Sequence, residues 1–154
     1  MNIETHRHHY FDDLQLSSKK FYELVEETIN SRKYPKVQCS RTSFSEGGLF
    51  SEKREYLKVK RNQYQYLVCA APFGQSFFIS YWLKETESTK NRLFAKIPFI
   101  GGWLIKNAQL KTFYQLDTEL LFKESISNVI EDAVKRLGSP QGFRQEVEPV
   151  SVVN

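Results

Sequence analysis

The three histidines of the chain fall within four residues, His6-Arg7-His8-His9, and two carboxylates, Asp12 and Asp13, follow closely. Imidazoles and carboxylates are the side chains that hold zinc and related divalent metals. The spacing fits no standard ligand set, and the surrounding text is polar with scattered rings, as in a loose arm. The reading is therefore of no metal site and no bound cofactor. Nucleophilic catalysis needs a Ser or Cys at a strained turn with a His and a carboxylate brought to it from elsewhere. No G-x-S-x-G occurs, and no His lies outside that one stretch. Cys39 and Cys69 sit in apolar, strand-like runs with no C-x-x-C spacing, which points to reduced, buried thiols and a cytoplasmic setting. Asp12-Asp13 and Glu26-Glu27 are neighbours in sequence and read as surface charge. Gly47-Gly48 and Gly101-Gly102 lack both the Lys and the strand-to-helix context of a phosphate loop. This inventory points away from an enzyme.

Binding chemistry is better represented. Arg54, Lys58 and Lys60 alternate with Tyr56 on one side of a strand, and Arg61 follows. Basic side chains interleaved with rings are how some sheets grip single-stranded nucleic acid, although lysines on a strand also keep an outer surface solvated. A second feature is apolar: Lys96 to Lys106 reads KIPFIGGWLIK, broken by Pro98 and Gly101-Gly102 and so ill suited to a regular helix. It could lie in a core, against a second copy of the chain, or against a lipid surface with Lys96 and Lys106 near anionic headgroups.

The elements that position these residues follow from periodicity. Phe21, Leu24, Val25, Thr28 and Ile29 form one helical stripe after a Ser cap and before Tyr34-Pro35. From Val37 the period changes to two. Runs around Val37–Phe44, Arg54–Arg61, Tyr64–Ala71 and Ser76–Lys84 read as strands, separated by a Gly47-Gly48 turn, a tight turn at 61–63 and the loop Pro72-Phe73-Gly74-Gln75. Leu121, Phe122, Ile126, Val129, Ile130, Ala133, Val134 and Leu137 give a final helix, with Asp117 as its N-cap and Gly138 and Pro140 as its stop. The expected fold is α+β in two layers: a four-stranded antiparallel meander with N- and C-terminal helices, in the order α-β-β-β-β-α. Residues 17–138 form the single domain, 1–16 a flexible N-terminal arm and 139–154 an extended tail.

One strand breaks the pattern expected of a half-solvated sheet. In Ser76–Lys84, Phe77, Ile79, Tyr81 and Leu83 point one way and Phe78 and Trp82 the other, so both faces are apolar. Two helices cover one face only. Burying a ring is worth on the order of 2–3 kcal/mol, so something should shield the second face. The residues expected at that contact are Phe78 and Trp82 with Phe99, Ile100 and Trp103 of the 97–104 segment, and the partner expected is a second copy or another protein.

Composition agrees with one folded domain. The 154 residues are 40% hydrophobic and 14% aromatic, enough for a ring-rich core without a disulfide or metal staple. A net charge of +4 from 22 basic and 18 acidic residues is a small excess, a weak pointer to anionic partners. The longest uncharged run, 62–83, is interrupted by Pro72, Gly74 and several Gln and Ser residues, so no membrane span is expected. Residues 1–14 lack the apolar core of a secretory signal.

The words Lys53-Arg54-Glu55-Tyr56-Leu57, Cys69-Ala70-Ala71-Pro72-Phe73-Gly74 and Ile97-Pro98-x-x-Gly101-x-Trp103-Leu104, with Asp117-Thr118 at a helix start, resemble in kind and order those of a family of uncharacterised bacterial proteins. The resemblance runs from about Lys36 to Gly138. Many relatives carry membrane spans between the aromatic strand and the Ile-Pro segment, where this chain has only KETESTKNRLFAK. The resemblance implies no activity. It implies a bacterial protein whose 96–106 segment lies where the chain meets a membrane in its relatives; with the two thiols, the expected location is the cytoplasm, with the inner face of the cytoplasmic membrane as the alternative. The function expected is a non-enzymatic, self-associating binding or assembly module. The alternatives are a peripheral membrane protein and a nucleic-acid binder using Arg54, Lys58, Lys60 and Arg61.

Overall fold

The computed structural model describes residues 2–45, 47, 52–86, 113–138 and 145–150. The elements run β1 (Asn2–Phe11), α1 (Ser18–Arg32), β2 (Gln38–Ser45), β3 (Lys53–Arg61), β4 (Tyr64–Phe73), β5 (Ser76–Glu85), α2 (Phe113–Gly138) and β6 (Gln145–Val150). All strands join one antiparallel sheet in the order β2-β3-β4-β5-β1-β6. The α+β class and the β2–β5 meander are as expected from sequence; the strand count is six rather than four.

The two added strands lie where the sequence pointed to an arm and a tail. Residues 2–11 pair along the free edge of β5, from Asn2 opposite Glu85 to Phe11 opposite Phe77, with a bulge between Ile3 and Thr5. Residues 145–150 pair with β1 in turn. The period of two in β1 is real but written in unusual letters. His9 and Phe11 are buried toward the helices, while His6, His8 and Tyr10 take the alternate positions on the other face. Only one residue of that inward set is an ordinary hydrophobe, which hides the pattern from a reading based on hydropathy.

Local chemistry fixes the connections. Ser17 caps α1 by accepting a hydrogen bond from the Lys20 amide at 3.2 Å, and Lys33, left-handed at φ 51°, closes its other end. The β3–β4 hairpin turns on Asn62-Gln63, with Asn62 at φ 54°. The β4–β5 hairpin turns on Gly74-Gln75, where φ 62° suits the missing Cβ of Gly74.

Both helices cover the same sheet face. Phe21, Tyr22, Val25 and Ile29 from α1 and Phe122, Ile126, Val129, Ile130, Ala133 and Val134 from α2 join one core with Leu57, Val59, Val68, Phe77, Ile79, Tyr81 and Leu83. The start of α2 differs from expectation. It begins at Phe113, so Asp117 lies inside its second turn, and Leu121 points away from the core at 64% exposure. Cys39 packs against the core while Cys69 belongs to the opposite face, and both are free thiols. Burial pushes the Cys39 thiol up to about 11, with the Glu26 charge adding to it, so it stays protonated at neutral pH.

Tyr22 shows how α1 locks onto the sheet. The β3–β4 ladder stops at the Tyr56–Cys69 pair, leaving the next two residues, Glu55 and Ala70, without their mutual bonds. The buried Tyr22 hydroxyl stands in: it donates to the Glu55 carbonyl at 2.8 Å and accepts from the Ala70 amide at 2.9 Å. A buried backbone group left unpaired is expensive. Tyr22→Phe is therefore expected to lower stability by about 1–3 kcal/mol in a urea titration. A cost within error of zero would show that the hydroxyl does not bridge the end of the ladder.

Candidate functional site

Two polar regions on opposite sides of the sheet are candidates. The first lies between sheet and helix. Glu131 of α2 reaches the sheet, where its Oε1 is 3.2 Å from Nε2 of His9, accepts a bond from the Tyr81 hydroxyl and is 3.7 Å from Arg7. His9 has no exposed surface, whereas the Glu131 side chain keeps 18%. Burial works to raise the Glu131 pKa, but the hydrogen bonds from His9 and Tyr81 and the charges of His9 and Arg7 outweigh it and hold the carboxyl below its ordinary range. Burial pushes the Tyr81 hydroxyl far up, with the Glu131 bond adding to it, so Tyr81 remains a donor. Such a His–carboxylate–Tyr set is familiar from acid–base catalysis, yet the imidazole here is sealed in the core. Its evident work is to fix α2 across β1 and β5.

A second lock holds the same helix one turn before Ile126. Lys123 of α2 pairs with Glu119, at 2.5 Å, and with Glu4 of β1, and its ammonium lies 5.0 Å from the centre of the Tyr64 ring. Tyr64 also hydrogen-bonds Glu119.

The second candidate is the outer sheet face, opposite the helices. Alternation brings to it Phe44 of β2, Arg54, Tyr56, Lys58 and Lys60 of β3, Leu67 and Cys69 of β4, Phe78, Ser80, Trp82 and Lys84 of β5, and His6, His8 and Tyr10 of β1. Glu55 and Glu85, the carboxylates of β2 to β5, occupy the alternate positions. The face is thus cationic toward β3 and ring-rich toward β1. Tyr56 meets Phe44 edge-on with ring centres 5.1 Å apart.

The sequence-predicted residues divide across this geometry. Arg54, Lys58 and Lys60 share the outer face as expected. Arg61 does not join them: its odd position turns it toward the helices, where it donates to the Thr118 carbonyl at 3.2 Å. Phe78 and Trp82 are on the outer face and only partly exposed. Their visible cover is lateral. His6 stacks on Trp82 with centres 3.5 Å apart and planes 12° from parallel, and His8 lies 6.1 Å from Phe78. Phe99, Ile100 and Trp103, and the whole 97–104 segment, lie outside the described residues.

Sequence reasoning missed the split of the histidines between faces and a third feature, the outward side of the first turns of α2. Phe113 and Tyr114 there are 88% and 79% exposed, and Leu116, Leu120 and Leu121 are exposed as well. Extending the helical register four residues upstream of Asp117 would have exposed that second stripe. No family model matches the chain, no curated protein matches it, and no solved structure matches it. Among the described residues no helix is long and apolar enough to cross a membrane.

The Glu131 cluster generates a pH prediction. A carboxylate whose folded pKa is depressed adds stability that is complete above its unfolded value, near 4.5, and is lost as pH falls through the folded value. Glu131→Gln should therefore be destabilised relative to the parent at pH 7, by about 1–3 kcal/mol for loss of charge-assisted bonds. The gap should close below pH 4.5. A gap that stays constant down to pH 3 in parallel urea titrations would contradict the assignment.

Proposed function

We propose that this chain is a non-enzymatic binding and assembly module that associates with a second copy of itself. The observation that carries the reading is the apolar outward side of α2: Phe113, Tyr114, Leu116, Leu120 and Leu121 are exposed within the first three turns of a helix that is buried in the core from Phe122 onward. An isolated exposed leucine needs no explanation, but five large apolar side chains in nine residues make a patch of the kind that marks an interface.

The occupant follows from charge and symmetry. Asp117 and Glu124 share that side of the helix with Leu120 and Leu121, so anionic lipid headgroups and nucleic acid would be repelled there. Two copies of α2 packed through this side would cover Phe113, Leu116 and Leu120 of each with the apolar side chains of the other. An isologous contact of this type is the commonest way for a soluble chain to form a dimer. The peripheral-membrane alternative rests on 96–106, outside the described residues, and draws nothing from the α2 surface. Location in a bacterial cytoplasm is part of the same proposal and rests on the sequence resemblance and the two thiols.

Sedimentation velocity at tens of micromolar should give a dimer of the parent chain. Leu120→Glu should give a folded monomer whose melting temperature no longer depends on protein concentration, since that side chain packs against nothing in the core. A parent that is monomeric throughout a dilution series sinks the reading.

A second reading has its own support: the outer face of β2 to β5 carries Arg54, Lys58, Lys60 and Lys84, no carboxylate at those alternating positions, and the Tyr56–Phe44 ring pair. This is a platform suited to single-stranded nucleic acid. Fluorescence anisotropy with a labelled single-stranded RNA should then show affinity falling with salt at a log–log slope of about −2 to −3, as three or four phosphate contacts require. Absence of binding at low salt would eliminate this reading and leave the dimer untouched.

A further inference from the structure

We propose that His6 and His8 form a two-imidazole binding site for a divalent transition-metal cation of the Cu²⁺, Ni²⁺ or Zn²⁺ class, on the outer sheet face. The argument begins with strand geometry. Residues two apart on a strand project from the same face, so pairing β1 with β5 places His6 and His8 side by side and sends His9 to the opposite face. The two ring centres are 5.9 Å apart, with planes 31° from parallel.

That separation matches a shared ion. An imidazole nitrogen binds zinc at about 2.0–2.1 Å, which puts the ring centre about 3.2 Å from the metal; two rings on one ion therefore lie at most about 6.4 Å apart, and about 5.2 Å apart at a tetrahedral angle. The observed spacing falls between these values, and movement of well under an ångström spans the difference.

An independent observation points to a missing ligand. Nε2 of His6 is buried and has no hydrogen-bond partner. Buried polar atoms in native proteins are nearly always satisfied, and an orphan calls for a water or an ion. His6 cannot turn away easily, because its ring is held flat against the Trp82 indole. Both histidine residues retain partial access to solvent. Nitrogen donors of this type favour copper, nickel and zinc over magnesium and calcium.

Trp82 supplies a built-in reporter, since a paramagnetic ion bound to His6 would lie close to the indole and quench its emission. The experiment titrates CuCl₂ into the full-length chain carrying Trp103→Phe, so that Trp82 is the one tryptophan observed. Quenching should saturate at one ion per chain. His6→Gln and His8→Gln should each weaken binding by at least roughly tenfold, the lower end of what loss of even an outer partner of a metal ligand produces. Quenching that rises linearly without saturation, or that is unchanged in His8→Gln, overturns the proposal. Electron paramagnetic resonance of the copper-loaded parent gives a readout that needs no variant to fold. Hyperfine splitting from two imidazole nitrogens is expected, and an all-oxygen spectrum overturns the assignment.

Discussion

The pairing of β1 with β5 is the interaction on which the rest of the molecule depends. β5 has large apolar side chains on both faces, and without a neighbour on its second edge it would also expose a full row of backbone donors and acceptors. β1 answers both needs. It completes the ladder from Phe11 to Asn2, and it sends rings to each side of the sheet: His9 and Phe11 into the core, His6 onto Trp82. The same strand brings Arg7, His9 and Glu4 within reach of α2 through Glu131 and Lys123. A helix that packs by an apolar stripe alone can slide or rotate by small amounts. Ionic and hydrogen-bonded contacts from β1 at two points along α2 restrict that freedom, because sliding the helix would part His9 from Glu131 and Glu4 from Lys123.

This arrangement gives the two sides of the sheet different characters. On the helix side several polar groups hold elements together: Tyr22 bridges the end of the β3–β4 ladder, Arg61 reaches Thr118, and Oε1 of Glu131 meets three sheet residues. The outer side carries the residues whose chemistry is not spent on the fold. Cations line β3, rings line β1 and β5, and an imidazole pair sits beside an indole. Away from the sheet, the first turns of α2 present apolar side chains that no core residue covers. These surfaces are the ones that the proposed binding function would use.

Much of the fold was legible because ordinary apolar residues write it. The 3.6-residue stripe of α1 and the alternation of Leu57 and Val59 against Lys58 and Lys60 translate directly into the observed elements. β1 was illegible for a physical reason. Its inward positions hold Arg7, His9 and Phe11: the buried His9 and the exposed Arg7 both meet Glu131 on another element, which a linear reading cannot see. The outer-face cations were legible up to Arg61, whose odd parity already excluded it from the stripe. The exposed patch on α2 escaped because the helix was started at Asp117, a residue with the chemistry of a cap but the position of a second turn.

The most direct test of this account is native-state amide hydrogen exchange at His6 through Tyr10. A strand integral to the sheet predicts protection comparable to that of β4 and β5, approaching the free energy of global unfolding. Exchange of those amides at the rates of an unstructured chain, while β4 and β5 stay protected, would contradict it.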